Sequence, residues 1–283
     1  MTRQILVNVV NEHPESGCID KPVMKLSIYQ IDAFASKPFE GNPAAICPLE
    51  EWLPDDILQA IASENNLSET AYFVPGDDGF HIRWFTPTQE VKLCGHATLA
   101  SAYVLFNELG CSGDVIKFDS KSGPLNVRRQ GEWLEMDFPS QPPEPCDIPQ
   151  GIANAFKHRP IACLSAEDYL VVFEQEQEIA GAAPNLFELS QLDLRGVCIS
   201  APGEHYDIVT RFFAPRYGIN EDPVTGSAYT QLVPYWAQRL GKTHIRARQI
   251  SPRGGDVNCE LKDDRVVIAG KAVKYLEGTI EIC

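Results

Sequence analysis

Three short polar clusters contain the residue types that could move protons or hold an anion. In Asn65-Asn66-Leu67-Ser68-Glu69-Thr70-Ala71, one carboxylate sits where a polar loop runs into an apolar strand. Facing solvent, Glu69 would be an ordinary strand-end charge; facing a cleft, it would suit general acid/base work. Leu93-Cys94-Gly95-His96 puts a thiol and an imidazole at the start of an apolar helix, where the histidine could equally be a cap. Asn220-Glu221-Asp222-Pro223-Val224-Thr225-Gly226-Ser227 brings a carboxylate and two hydroxyls to a second helix start, where Asp222 could be only a turn residue before Pro223. No single cluster decides the chemistry.

The elements that position these clusters form an internal repeat. Arg83-Trp84-Phe85-Thr86-Pro87 leads through a loop to Gly95-His96-Ala97 and an apolar helix ending at Leu109-Gly110. Arg211-Phe212-Phe213-Ala214-Pro215 leads to Gly226-Ser227-Ala228 and an apolar helix ending at Leu240-Gly241. The two helices have the same length and are apolar nearly all round, which predicts burial; Pro234 should kink the second. The repeat is too long for a solenoid and predicts a duplicated lobe, with strands wrapped around one central helix in each. A glycine at each helix start leaves room for a ligand near free N–H groups, where the helix dipole favours an anion. Two facing helix starts would form a carboxylate-binding cleft.

Alternation in residues 27–34 predicts a strand. Residues 71–74 and 80–85 read likewise, and residues 54–62 as a helix with Pro54, Asp55 and Asp56 at its start. Prolines 139, 142, 143, 145 and 149 give linker composition. The expected division is therefore an N-terminal extension over 1–23, one lobe over 24–138 plus 275–283, and a second over 139–274.

The chain has 283 residues, 24 Lys+Arg against 39 Asp+Glu, and a net charge of −15, which argues against tracking nucleic-acid phosphates. No apolar run is long enough for a membrane span, and none near the start makes a signal-peptide core. A cytoplasmic location is expected. The nine cysteines form no CxxC pattern, which predicts mostly buried, reduced thiols. The six histidines are scattered, so no metal site is expected, and glycine-rich nucleotide loops are missing from the sequence.

Asp32-Ala33-Phe34, Gly41-Asn42-Pro43-Ala44-Ala45, the Glu69 segment, Arg83 to Pro87 and Leu93 to Ala100 together resemble the phenazine-biosynthesis PhzF-like family, more closely its animal phenazine-biosynthesis-like-domain members. Glu221 to Ala228 and Arg253-Gly254-Gly255 continue the resemblance, which covers the chain from Met24 onward. It implies the diaminopimelate-epimerase-like fold, an α/β (α+β) architecture of two pseudo-symmetric lobes. Each lobe would be a mixed sheet or barrel around a buried helix, with the active site between lobes. It also implies an isomerase that moves a proton on a small carboxylate metabolite without a cofactor, and homodimers. Residue by residue, Glu69 takes the place of the family's acid/base, and His96, Asp222 and Ser227 its other catalytic positions. Asn42, Cys94, Gly95, Thr225 and Gly226 fall at substrate-binding positions. Tyr29, Tyr72, Tyr217 and Tyr229 are candidate selectors of substrate.

One departure matters. Epimerase and racemase relatives carry a cysteine before each helix-start glycine; here Cys94 fills the first position and Thr225 the second. A two-thiol racemase is therefore disfavoured. A Cys94-dependent epimerase or dehydratase of an amino-acid-like substrate stays open, as does an inactive binding or scaffold protein.

Overall fold

The computed structural model describes residues 23–282, so the expected extension over 1–23 lies outside the described residues save Val23. The chain divides into two compact units: residues up to Asp32 with Pro43–Arg128 and Val273 onward, and Ala33–Asn42 with Arg129–Ala272.

In the first unit, β1 (Met24–Ala33) is followed by β2 (Asn42–Pro48), α1 (Asp55–Asn65), β3 (Glu69–Gly76), β4 (Gly79–Phe85) and β5 (Glu90–Val91). Then come α2 (Gly95–Tyr103), β6 (Val115–Ser120) and β7 (Gly123–Gln130). Pro54 precedes α1 and Asp55 and Asp56 fill its first turn, where carboxylates complement the dipole. Asn66 ends it in the left-handed conformation at φ 48°, and its N–H bonds Ala62 O. That tight stop turns the chain directly into β3, whose first residue is Glu69.

The second unit contains β8 (Trp133–Pro139), β9 (Glu144–Pro145), α3 (Gln150–Ala155), β10 (Ala162–Ser165), β11 (Tyr169–Val172), α4 (Glu176–Ala180) and α5 (Leu186–Ser190). It continues with β12 (Val197–Pro202), β13 (Ile208–Ala214), β14 (Ile219–Asp222), α6 (Tyr229–Leu240), β15 (His244–Gln249), β16 (Gly255–Lys262) and β17 (Arg265–Gly270). The final strand, β18 (Ala272–Ile282), returns to pair with β1. The division falls before the proline-rich stretch because β8 pairs along its length with β17.

The two units share one pairing scheme. In the first, β2 runs parallel to β3, β3 antiparallel to β4, and β4 antiparallel to β5 and parallel to β6, which is antiparallel to β7. In the second, β11, β12, β13, β14, β15 and β16 repeat these relations in the same order and sense. The repeated Arg-x-Phe motif has the same contacts in both. Arg83 donates through Nε and Nη2 to Glu90 at 2.8 and 2.9 Å, and Arg211 donates likewise to Glu221 at 2.7 and 2.8 Å. Each guanidinium also lies over the aromatic ring two residues on, Phe85 at 5.0 Å and Phe213 at 5.1 Å. The forked pairing ties the central strand to the short strand that leads toward the helix start.

The first central helix is buried from His96 to Ala102, and burying the Leu99 side chain there contributes about 1.5–3 kcal/mol. It does not continue as an α-helix to Leu109: from Val104 to Glu108 it widens into a π-turn, with Leu109 N–H bonding Val104 O. The second begins with a 3₁₀ turn over Gly226–Ala228, and Pro234 lies inside α6. Contrary to the all-apolar reading, α6 ends on exposed Gln238, Arg239 and Leu240. No helix among the described residues is long and apolar enough to cross a membrane.

Candidate active site

The nine residues singled out from the sequence fall into two sets, one in each unit. In the first unit, β3 pairs in parallel with β2, Glu69 standing opposite Ala44. The Glu69 side chain is only 15% exposed, so it is not a solvent-facing strand-end charge. Cys94 precedes α2 in an extended conformation, and its carbonyl accepts from Thr98 Oγ1 at 2.6 Å. Gly95 and His96 then open the helix, leaving first-turn N–H groups without partners inside it.

His96 Nε2 lies 3.1 Å from Glu69 Oε2, at angles outside those of a hydrogen bond. That oxygen is buried, and no donor bonds to it. Cys94 Sγ lies 3.5 Å from His96 Nδ1. Burial works against a charged imidazole, but the Cys94 sulfur and the Glu69 carboxylate outweigh it and raise the His96 pKa well above its usual value. Burial, and then the Glu69 charge, push the Cys94 thiol up to about 11. At neutral pH the thiol therefore keeps its proton.

The ligand atoms of Glu69, Cys94 and His96 lie within 4.8 Å of one another, a grouping able to take a transition metal that the scattered histidines did not foreshadow.

In the second unit, Asp222 ends β14 with both carboxylate oxygens engaged. Asn42 Nδ2 donates to Oδ1 at 2.9 Å, and Thr225 Oγ1 donates to Oδ2. Asn42 also donates to Val224 O at 3.0 Å, and Gln249 accepts from Thr225 N–H at 2.9 Å. Asn42 is placed by the crossing segment 33–42. Phe34, buried at φ 60°, fills a groove where a Cβ on Gly270 would stand 2.2 Å from its ring. Arg253 donates to Gly41 O and Glu40 O at 2.8 and 2.9 Å, so the Arg253-Gly254-Gly255 motif holds the segment down.

Gly226 and Ser227 open the second helix start. Ser227 Oγ accepts from Arg195 Nη2 at 3.0 Å. Arg195 is itself forked onto Asp168, which is fully buried, at 2.9 and 2.5 Å. Sequence reasoning missed Arg195 and Asp168. The available signal was the one that marked Glu69, a charge at the mouth of an apolar strand: Asp168 immediately precedes β11, and Arg195 stands two residues before β12. Among the candidate selectors, Tyr72 and Tyr229 are wholly buried core residues, and the Tyr72 hydroxyl donates to Leu58 O at 2.7 Å.

The family described as phenazine biosynthesis-like protein matches residues 31–278. The chain belongs to this PhzF-like family. An uncharacterised isomerase of Pseudomonas aeruginosa is 52% identical over 92% of this chain and all of that protein. Mouse phenazine biosynthesis-like domain-containing protein 1 is 40% identical over 91% of this chain and 99% of its own. Among solved structures, a PhzF-family protein of Enterococcus faecalis superposes with a TM-score of 0.89 at 44% identity, covering 91% and 99% of the two chains. A predicted epimerase of Pseudomonas aeruginosa shares the fold, with a TM-score of 0.70 at 22% identity over 90% and 99%. This PhzF-like chain is an isomerase with an epimerase-like α/β fold.

Proposed function

We propose that this isomerase moves a proton between two carbons of a small carboxylate metabolite, with Glu69 as the acid/base and no cofactor. The supporting observation is the buried Glu69 Oε2, which no donor bonds and which lies 3.1 Å from His96 Nε2. A hydrogen-bonded carboxylate oxygen is a weaker base; this one keeps its lone pairs available. In the forward step a substrate C–H bond breaks and its proton passes to Glu69 Oε2. The electron pair spreads into the adjoining double bond and carboxylate. Glu69 then returns the proton to a different carbon, so substrate and product are isomers.

First-turn N–H groups at the helix start of Gly95 would stabilise a developing oxyanion by about 3–4 kcal/mol per well-placed donor. Asp222, with both oxygens occupied by Asn42 and Thr225, acts as an orienter that fixes the second helix start. The Cys94-dependent reading fits less well, because a thiol pushed up to about 11 is a poor base at neutral pH, and Thr225 spends its proton on Asp222.

The test is incubation of the wild type in D₂O with dihydroaromatic and amino-acid carboxylates, read by mass spectrometry and NMR. The expected product has the substrate's composition apart from solvent deuterium on carbon. A product that had lost water or been oxidised would contradict the proposal.

A further inference from the structure

The registers of the two units align Thr70 with Val197, since each faces the phenylalanine of its repeat, Phe85 or Phe213. Glu69 therefore corresponds to Gly196, while the helix-start glycines align His96 with Ser227. In the first unit the strand start meets the helix start through Glu69 and His96. At the equivalent place in the second unit Gly196 has no side chain, and a Cβ there would stand 2.4 Å from the Phe212 ring. Arg195, one residue earlier, makes the contact instead, through Ser227. Where the first unit sets a carboxylate beside its helix-start residue, the second sets a permanent cation, carried one residue earlier in the strand.

The partners of Arg195 define what that cation does. Arg195 sends Nε and one Nη2 proton to Asp168 and the other Nη2 proton to Ser227 Oγ, while Nη1 reaches Glu167 at 3.1 Å. Asp168 also accepts from Gln231 Nε2 at 3.0 Å, so the carboxylate that anchors Arg195 is itself held by α6. A guanidinium can only donate. Ser227 Oγ must therefore accept from it, which leaves the hydroxyl proton to be given away. The acceptors nearest in sequence are already used: both Asp222 oxygens are bonded, and Thr225 Oγ1 faces Asp222 and Gln249.

We propose that Arg195, anchored on Asp168, is a positioning residue that makes Ser227 a fixed hydrogen-bond donor to the substrate's carboxylate. This rests on the reading of Ser227 as a substrate-binding group and deepens it. The second helix start becomes an anion site built only from donors: the N–H groups of its first turn and one oriented hydroxyl.

Arg195→Gln alone would strand a buried carboxylate and could unfold the unit. The test therefore uses Arg195→Gln/Asp168→Asn, which removes both buried charges together. Benzoate is the probe, titrated calorimetrically into the wild type, Ser227→Ala, the double variant and the triple variant. Ser227→Ala and the double variant should each weaken benzoate by about 3–10-fold, the value of one hydrogen bond, and the triple variant no further than Ser227→Ala. All four proteins are titrated well below their melting temperatures, so each is folded in the comparison. Multiplying affinity losses in the triple variant, or wild-type affinity in the double variant, would overturn the proposal, as would failure of the wild type to bind benzoate. Glu69-dependent deuterium exchange alongside that last result would leave the isomerase proposal standing, so the two can fail separately.

Discussion

His96 Nε2 stands 3.1 Å from a Glu69 oxygen that no donor bonds, where the start of β3 meets the start of α2. The pair places a buried carboxylate oxygen beside an imidazole whose pKa is raised well above its usual value. Its consequences reach stability as well as chemistry.

The first concerns pH. An unfolded histidine titrates near ~6.5, and the His96 pKa in the fold is well above that, so over the interval between them the native state holds a proton that the unfolded chain has lost. The stability from the pair is therefore complete below that unfolded value and is lost as pH rises through the folded one. The urea midpoint of the wild type should exceed that of His96→Gln most at about pH 6, with the gap narrowing steadily in more alkaline buffer. A gap that widened with pH would contradict the assignment of a charged His96.

Cys94 gives a second prediction. With the thiol pushed up to about 11, only about one molecule in ten thousand carries the thiolate at pH 7. Cys94→Ala should keep most of the deuterium-exchange activity, whereas losing a true acid/base costs about 10²–10⁴-fold. A loss of that size in Cys94→Ala would favour the thiol chemistry.

Phe34 gives a third. A methyl on Gly270 would sit 2.2 Å from the Phe34 ring, so Gly270→Ala should destabilise the protein by about 1–3 kcal/mol, the usual cost of overpacking. In a Phe34→Leu background the same substitution should cost much less. Chemical denaturation of the four proteins measures the coupling; equal costs in both backgrounds would show that Phe34 does not fill that groove.

The duplication was legible in the sequence because its signals are local: an Arg-x-Phe strand, a glycine at the helix start and a helix of fixed length. Glu69, His96 and Asp222 stood out as candidates for the same reason, each standing at the edge of an apolar element. The forked Glu90 and Glu221 partners were not singled out, since an exposed acid and a clamped one look alike until β4 and β13 pair with their short neighbours. Arg195 and Asp168 meet only through the parallel pairing of β11 with β12, which no local pattern encodes. Segment 33–42 was assigned to the first lobe by its neighbours in sequence, yet Phe34 and Arg253 hold it in the second unit. The exposed end of α6 was hidden by Leu240, a single apolar residue that faces solvent.

The most direct measurement compares solvent-deuterium incorporation by the wild type and Glu69→Gln, each at equal folded concentration, with a carboxylate the wild type exchanges. Glutamine keeps the shape and removes the base, so exchange should fall by at least about 10²-fold while the folded structure persists. Undiminished exchange in Glu69→Gln would contradict the assignment of Glu69 as the proton carrier.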